Sequence, residues 1–194
     1  MRVVVTGTDT GVGKTYVAAA LSNPDTAYVK AAQTGDDDDA ATVHRLSGAQ
    51  THTLARYPEP LAPATAARRA GVKAITPTEI ATFVQTLDHE RVVIEGAGGL
   101  LVPFGDGTIA DVARLLDAPL IVVARAGLGT LNHTALTVEA IERRNLRCLG
   151  IVIGSWPREP DLAAQTNLED LATIAPVLGR IPEGAQHPTL ELPA

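Results

Sequence analysis

A phosphate-binding loop is the part of this sequence with the clearest chemistry. Residues 6–15 read Thr-Gly-Thr-Asp-Thr-Gly-Val-Gly-Lys-Thr and follow the apolar run Val3–Val5. Glycines let successive backbone N–H groups point at phosphate oxygens, while the following helix presents its positive end to the same anion. Lys14 would neutralise the outer phosphates, and the hydroxyl of Thr15 would ligate Mg²⁺. We therefore expect a nucleoside triphosphate site.

The spacing of this loop departs from the usual Gly-x4-Gly-Lys-[Ser/Thr] pattern. Thr8 stands where the first glycine is expected, and Gly7 lies one place earlier. A strand-to-helix turn that binds nothing would explain the glycines, but it would not explain why Lys14 and Thr15 stand together.

A second lysine follows the next apolar run. Lys30 opens the segment Lys-Ala-Ala-Gln-Thr-Gly, which also carries the hydroxyl of Thr34. An ammonium group here could stabilise charge that develops on a transferred phosphoryl group or on its acceptor. The alternative is a solvated surface lysine, which is common in proteins.

Four consecutive aspartates, Asp36–Asp39, stand at the start of a predicted helix. Capping and the helix dipole favour one or two carboxylates at this position. Four carboxylates repel one another unless a cation lies nearby, and Mg²⁺ held by carboxylate and phosphate oxygens would relieve the repulsion. A solvated acidic turn is the competing interpretation.

A buried carboxylate is predicted at Glu95, which follows the apolar run Val92–Ile94 and precedes Gly96-Ala97-Gly98-Gly99. This is the pattern of a Walker-B strand with glutamate in place of the usual aspartate. A carboxylate beside buried residues is costly unless it is paired or near a metal, and glycines let backbone approach a ligand closely. A plain turn with an exposed glutamate is the alternative.

The fourth polar segment, Arg125–His133, combines a glycine-containing loop with the start of a predicted helix. Thr130 or Asn132 is expected to cap this helix, whose exposed N–H groups could hold a carboxylate. Ordinary capping is the simpler interpretation, and His133 is expected to be structural.

The elements that must position these groups follow from the apolar pattern. Five continuous apolar runs predict strands covered on both faces: Val3–Val5, Ala27–Val29, Val92–Ile94, Leu120–Val123 and Gly150–Ile153. Helical spacing predicts helices at Lys14–Leu21, Asp37–Leu46, Thr78–Leu87, Ile109–Leu116, Thr130–Arg143 and Leu168–Ile174. This alternation indicates an α/β fold with a mostly parallel sheet, whose ligands bind beyond the carboxyl ends of the strands.

Three further segments have less regular patterns. Ala175–Ile181 is expected to supply a last short strand, Tyr57–Pro63 an irregular proline-rich insertion, and residues 188–194 a loose tail.

Length and composition limit the class of protein. The 194 residues suit a single domain spanning 1–194, and a net charge of −6 argues against general attraction to nucleic acid. No apolar stretch approaches the roughly 18 residues of a membrane span, and Met1-Arg2 leaves no room for a secretory leader, so we expect a cytoplasmic protein. Cys148 lies close to the predicted strand Gly150–Ile153 and is expected to be a buried, inert thiol.

Four motifs, taken in order, resemble the dethiobiotin synthetase family of biotin biosynthesis. They are Gly7–Thr15, Lys30–Gly35, Glu95–Gly99 and Gly129–His133, and they extend over nearly the whole chain. The resemblance implies a phosphate-loop NTPase fold and a homodimeric ligase. Such a ligase closes a cyclic urea on 7,8-diaminopelargonic acid with CO₂, ATP or another nucleoside triphosphate, and Mg²⁺.

The resemblance also implies a course of reaction. One substrate amine captures CO₂ as a carbamate, which takes the γ-phosphoryl group to give a carbamic-phosphoric anhydride. The second amine then attacks, expels phosphate and closes the ring.

The resemblance assigns roles to individual residues. Lys30 matches the catalytic lysine and Thr34 the hydroxyl that touches the substrate. The implied Mg²⁺ ligands are Thr15, Asp39 and Glu95. Asp39 is chosen among the four aspartates because it stands six residues before Arg45, which is the spacing between the family's aspartate and a basic residue.

Further contacts come from the same resemblance. Leu131 and Asn132 lie in the loop that holds the carboxylate tail of the diamine from the neighbouring subunit. The other implied nucleotide contacts are Thr10, Gly11, Val12, Gly13, Lys14, Gly96, Ala97, Gly98, Gly154, Ser155, Ile181, Pro182 and Glu183.

Three departures from the family pattern stand out. Ala31 replaces a common proline, and Asn23–Thr26 is a short link where relatives have a longer helix. Gly154-Ser155 stands where many members carry an asparagine that reads the adenine edge. Without that amide, discrimination between bases should weaken, so other nucleoside triphosphates are expected to serve as well.

Two other kinds of function compete with this interpretation. A partition or cell-division ATPase would carry a signature lysine where this chain has Asp9, and it would have a membrane-binding tail. A nucleotide-binding module without chemistry would make Lys30 and the acidic run incidental. Phosphate release that depends on the diamine and bicarbonate separates the enzyme from such a module.

Overall fold

The computed structural model describes residues 1–192 of the chain, as a seven-stranded sheet with helices on both faces. Its strands are β1 (Arg2–Gly7), β2 (Thr26–Lys30), β3 (Gln33–Thr34), β4 (Gln50–Thr53), β5 (Arg56–Tyr57), β6 (Arg91–Gly99), β7 (Pro103–Phe104), β8 (Gly107–Thr108), β9 (Leu120–Ala124), β10 (Cys148–Trp156) and β11 (Val177–Pro182). Its helices are α1 (Lys14–Ala20), α2 (Asp39–Ser47), α3 (Pro63–Ala70), α4 (Pro77–Gln85), α5 (Ile109–Leu115), α6 (Thr130–Glu142) and α7 (Leu162–Leu171).

The main sheet is parallel throughout, in the order β11-β10-β9-β1-β6-β2-β4. The apolar runs form its central strands because both faces are covered: Val3, Val4 and Val5 are fully buried. Val4 packs in one core cluster with residues of α4, α5 and α6, whereas Val3 and Val5 pack on the other face with residues of α1 and α2. The predicted fold class is confirmed.

Several elements differ from the prediction, among them the short strands β3, β5, β7 and β8, which were not predicted. β4 was not predicted, because its residues Gln-Thr-His-Thr are polar and line the sheet edge, where burial is incomplete. Helix α3 was also not predicted; it begins at Pro63, where the expected irregular segment ends. Helix α7 begins at Leu162 rather than Leu168, since Asp161 caps it by accepting a hydrogen bond from the amide of Ala164.

The carboxyl-terminal segment also differs from the expected loose tail. Pro188 is buried, and the amide of Leu190 donates a 3.0 Å hydrogen bond to the carbonyl of Ala20 at the end of α1. Residues 188–192 therefore lie against α1, while residues 193–194 of that expectation lie outside the described residues.

Two smaller expectations concern exposed polar groups. Cys148 is half-buried rather than fully buried, and burial raises the pKa of its thiol, as expected of an unreactive cysteine. His133 is exposed on α6, so the structural role expected of it is not seen. Within residues 1–192, no helix has the length and apolar character needed to cross a membrane.

Candidate active site

The phosphate loop joins β1 to α1 at the carboxyl edge of the sheet. Gly13 ends the loop with φ +95°, in the region that favours glycine. A Cβ at Gly13 would lie 2.3 Å from the carbonyl oxygen of Gly154, and one at Gly154 would lie 2.1 Å from that of Val12. The loop and β10 therefore pack backbone to backbone, which requires glycine at both positions.

Lys14 follows this loop and is buried. Its Nζ donates a 3.1 Å hydrogen bond to the carbonyl of Asp9 at the other end of the loop. Burial lowers the pKa of Lys14, and the nearby carboxylate of Glu95 opposes this effect. The ammonium group lies within the loop that is expected to hold phosphates.

Lys30 and Glu95 meet because β2 pairs in parallel with β6, with Lys30 opposite Glu95 in the register. Lys30 Nζ lies 2.6 Å from Glu95 Oε1 and donates a 3.3 Å hydrogen bond to the carbonyl of Gly96. Both side chains are buried, at 4% and 1% exposure for the two residues. Lys30 is not a solvated surface lysine and Glu95 is not an exposed turn residue.

The first turn of α2 brings a second carboxylate to Lys30. Asp39 Oδ2 lies 2.5 Å from Lys30 Nζ, and Asp39 Oδ1 accepts a 2.8 Å hydrogen bond from the hydroxyl of Thr15. The side-chain carbonyl of Gln33 accepts a hydrogen bond from the amide of Asp39. Burial raises the pKa of Asp39, but Lys30 and Thr15 outweigh it, so the pKa lies below its usual value.

The acidic run is therefore divided among different partners. Asp38 caps α2 by accepting from the amide of Ala41, and it also pairs with Arg56 at 2.9 Å. Asp39 pairs with Lys30. Cationic side chains of the chain itself thus lie beside two of the four aspartates.

Burial alone would lower the pKa of Lys30, but Glu95 and Asp39 raise it above its ordinary value. At neutral pH Lys30 is therefore an ammonium ion, able to donate hydrogen bonds and to neutralise negative charge.

A tyrosine that sequence reasoning missed completes this group. The hydroxyl of Tyr28 donates a 2.9 Å hydrogen bond to Glu95 Oε2, and Tyr28 is fully buried. Its spacing of two residues from Lys30 on β2 places both side chains on one face of the strand. That spacing was the available signal, although it required knowing that β6 is the neighbouring strand.

One cleft of about 830 Å³ lies at this edge of the sheet. Lys14, Lys30, Thr15, Asp39 and Glu95 all face it, and so the structure brings the proposed catalytic and metal-binding residues together. The other predicted residues that line it are Thr10, Gly11, Gly13, Thr34, Ala97 and Gly98.

Several predicted nucleotide contacts do not line the cleft. The side chains of Val12 and Ile181 pack in the core beside α1, so nucleotide contact at these two residues stays a prediction. Gly96 is buried, and its carbonyl accepts a hydrogen bond from Lys30 Nζ. Gly154 packs against the backbone of the phosphate loop. Ser155, Pro182 and Glu183 are exposed at the ends of β10 and β11.

The glycines after Glu95, which are expected to let the backbone approach a ligand, also allow close packing within the protein. β6 continues to Gly99, and Gly99 pairs with Gly7 of β1. A Cβ at Gly96 would lie 3.1 Å from Ile109, and one at Gly98 would lie 2.9 Å from Val102. Gly96, Gly98 and Gly99 thus allow close packing within the protein, although Gly98 also lines the cleft.

The segment before α6 contacts the phosphate loop. Arg125 Nη2 lies 2.8 Å from Asp9 Oδ2 and donates a 3.3 Å hydrogen bond to the carbonyl of Thr10. On the other side, Asn167 of α7 donates hydrogen bonds to the carbonyls of Ala126 and Gly127.

The predicted cap of α6 is wrong. The helix begins at Thr130 after Gly129, whose φ of +91° turns the chain, and no side chain caps the first turn. Leu131 and Asn132 are not among the residues that line the cleft of the same chain.

The oxygen atoms at the cleft suit a hard divalent cation. Thr15 Oγ1 lies 2.8 Å from Asp39 Oδ1 and 3.4 Å from Glu95 Oε1. Mg²⁺ typically binds one or two carboxylates together with phosphate oxygens. The described residues contain no group of three or more His, Cys, Asp and Glu side chains able to hold a metal alone. The donor set thus fits a metal that arrives with a phosphate.

Comparison with known proteins places the chain in one family. A family model described as "AAA domain" matches residues 1–187. A protein named ATP-dependent dethiobiotin synthetase BioD from Saccharopolyspora erythraea is 55% identical, covering 94% of this chain and 87% of that protein. Proteins of the same name from Streptomyces avermitilis and Mycobacteroides abscessus are 54% and 51% identical over 94% of this chain, covering 84% and 87% of their own lengths.

Solved structures agree on the fold. The MinC:MinD cell division protein complex of Aquifex aeolicus matches with a TM-score of 0.60 and 14% identity, covering 96% of this chain and 86% of that chain. A putative plasmid partition protein from Borrelia burgdorferi, bound to AMPPNP, gives a TM-score of 0.60 and 15% identity, covering 94% of this chain and 84% of that chain. At this identity the likeness concerns the fold alone.

Proposed function

The chain belongs to the dethiobiotin synthetase family and is an ATP-dependent ligase of biotin synthesis, and on that premise we propose its detailed reaction. It closes the cyclic urea of dethiobiotin on 7,8-diaminopelargonic acid with CO₂ and a nucleoside triphosphate. The observation that carries the proposal is the convergence of two buried lysines, two carboxylates and a hydroxyl on one cleft. We also propose that the enzyme acts in the cytoplasm.

The proposed steps balance as follows. A substrate amine attacks CO₂ and loses a proton, giving a carbamate. A carbamate oxygen attacks the γ-phosphorus, and the bond to the leaving nucleoside diphosphate breaks. The second amine attacks the carbamoyl carbon, loses a proton, and breaks the bond to the phosphorylated oxygen. Phosphate leaves and the ring is closed.

The residues of the cleft suit the phosphoryl-transfer step, which depends mainly on positioning and charge neutralisation. We assign Lys14 and the backbone of Thr10–Thr15 to the triphosphate. Lys30 is buried and cationic, so its donors are shielded from water and stabilise charge more strongly than they would in water. We assign it to the carbamate and the transferred phosphoryl group, with Thr34 beside the substrate.

The same cleft provides for magnesium. Thr15, Asp39 and Glu95 would hold Mg²⁺. When bound, the metal would neutralise part of the negative charge of the phosphates. Their oxygens lie close together, and Lys30 is shared between the two carboxylates. This arrangement orients both carboxylates toward Thr15.

We also propose a homodimer in which α6 reaches the active site of the partner. The first turn of α6 lacks a side-chain cap, so its N–H groups can bind the substrate carboxylate. Leu128 and Leu136 are 94% and 56% exposed on this segment. We assign these two exposed leucines to the dimer interface. Leu131 and Asn132 would then contact substrate from the second chain.

The direct test is product formation. Purified protein with Mg²⁺, bicarbonate, diaminopelargonate and ATP should yield the cyclic urea, detected by mass. Phosphate release should require both the diamine and bicarbonate. Phosphate release that is independent of both would instead fit a switch ATPase, and nucleotide binding without any turnover would fit a binding module.

A further inference from the structure

Tyr28 is a fully buried polar residue to which the proposed reaction gives no part. Its ring packs in the core between the sheet and α1, while its hydroxyl donates a 2.9 Å hydrogen bond to Glu95 Oε2. In the β2–β6 register, Tyr28 lies opposite Val93 and Lys30 lies opposite Glu95. Tyr28 therefore reaches diagonally across the sheet from behind the carboxylate.

The two oxygens of Glu95 consequently have separate partners. Oε1 faces the cleft, 2.6 Å from Lys30 Nζ and 3.4 Å from Thr15 Oγ1. Oε2 faces the core and accepts from Tyr28. The terminal torsion of a glutamate is broad and roughly two-fold, so the side chain does not fix its own carboxylate plane. A hydrogen bond to one of the two oxygens fixes the orientation of that plane.

We propose that Tyr28 is a positioning residue that orients Glu95, so that Oε1 is presented to Thr15 and to the cation that arrives with the nucleotide. This inference rests on the proposed function of the cleft. A partner that orients a metal-binding carboxylate typically changes metal affinity or activity by about 10–100-fold when it is removed.

The test compares Tyr28→Phe with Tyr57→Phe. Phenylalanine keeps the ring that fills the core and removes only the hydroxyl. Tyr57 is a matched control, since it is also buried and its hydroxyl accepts a hydrogen bond from the amide of Ile75. Mn²⁺ is titrated into protein saturated with a non-hydrolysable ATP analogue and followed by electron paramagnetic resonance. Thermal unfolding is recorded for each variant.

We expect Tyr28→Phe to fold and to bind Mn²⁺ about tenfold more weakly in this complex, with a matching rise in the Mg²⁺ concentration needed for turnover. Tyr57→Phe should change the unfolding temperature without changing Mn²⁺ affinity. Wild-type Mn²⁺ affinity in Tyr28→Phe would overturn the inference, as would an equal loss in both variants.

Failure of the inference can be told from failure of the proposed function. If wild-type protein forms the cyclic urea but Tyr28→Phe binds Mn²⁺ normally, only the role of Tyr28 is wrong. If wild-type protein forms no cyclic urea but the Mn²⁺ result holds, Tyr28 orients Glu95 in an enzyme of different chemistry.

Discussion

Lys30 is the residue on which the proposed chemistry depends most. Lys30→Ala removes the ammonium group shared by Glu95 and Asp39, at 2.6 and 2.5 Å. We expect ring formation to fall by at least about 100-fold, the usual cost of one group that stabilises transition-state charge. Nucleotide binding should be largely retained, because Lys14 and the phosphate loop are intact. Product mass and fluorescent-nucleotide binding measure the two effects.

The control for that experiment is Lys73→Ala. Lys73 is the remaining lysine of the chain and forms an exposed pair with Glu79. It should leave both readouts unchanged. Near-wild-type turnover in Lys30→Ala would contradict the role assigned to Lys30.

Arg125 illustrates a weaker effect at the same scale. Its pair with Asp9 is about half exposed, and exposed pairs contribute at most about 1 kcal/mol. Arg125→Ala should therefore raise the KM for ATP by no more than about fivefold and leave the turnover rate unchanged. The similarly exposed pair of Arg69 and Glu59 gives the control variant Arg69→Ala, which should change neither constant. A turnover rate that falls by about 100-fold or more would show that Arg125 acts on the reacting phosphate.

Base selectivity is also decided by single residues. Gly154 and Ser155 offer no amide side chain to read a base edge. We expect CTP and GTP to support turnover alongside ATP when initial rates are compared at saturating concentration. Strict dependence on ATP would contradict this expectation.

At the scale of elements, the phosphate loop depends on its packing against β10. Gly154→Ala would place a Cβ 2.1 Å from the carbonyl oxygen of Val12, which forces the loop or the strand to move. We expect a stability loss of about 1–3 kcal/mol and weaker nucleotide binding. Gly127→Ala is the control for stability, because an added Cβ there has no neighbour within 4 Å. Unchanged unfolding of Gly154→Ala would contradict the packing described.

The edge strand β4 should make stability depend on pH. Burial and the nearby His89 lower the pKa of His52 below its ordinary value of 6.5. The folded state therefore favours neutral His52, so its contribution is complete above the ordinary pKa and is lost as pH falls below that value and through the lowered pKa of the folded state. Urea unfolding should show lower stability near pH 5 than near pH 7.5. His52→Gln should reduce that difference, whereas His133→Gln, at an exposed position, should not.

The sequence predicted elements whose own residues carry a strong pattern. Val3–Val5 and Leu120–Val123 are continuous and apolar, and they form central strands. Gln50–Thr53 has no such pattern, because an edge strand is held by backbone pairing with β2. The start of α7 was missed although Asp161 supplied a capping signal.

The active site was predictable to the extent that its motifs are local. Lys14 and Thr15 lie in one loop, so their type and spacing identify them. The contact between Tyr28 and Glu95 joins residues 67 positions apart and exists only through the pairing of β2 with β6. Contacts of this kind depend on strand order, which the apolar pattern does not specify.

At the scale of the whole molecule, the proposed dimer makes a direct prediction. Leu136→Glu places a charge on the exposed face of α6 and should give a monomer by sedimentation, with loss of ring formation. Leu162→Glu changes a leucine that is 77% exposed on α7 and should leave the dimer intact. A wild-type monomer that is fully active would contradict the shared active site.

The central claim is that the γ-phosphoryl group of the nucleotide is transferred to a carbamate oxygen in this cleft. In the first turnovers with ¹⁸O-labelled CO₂, before exchange with water, the proposed steps leave one carbamate oxygen on the released phosphate. Mass analysis should therefore find one ¹⁸O atom in each phosphate formed. Unlabelled phosphate, released together with dethiobiotin, would contradict the account.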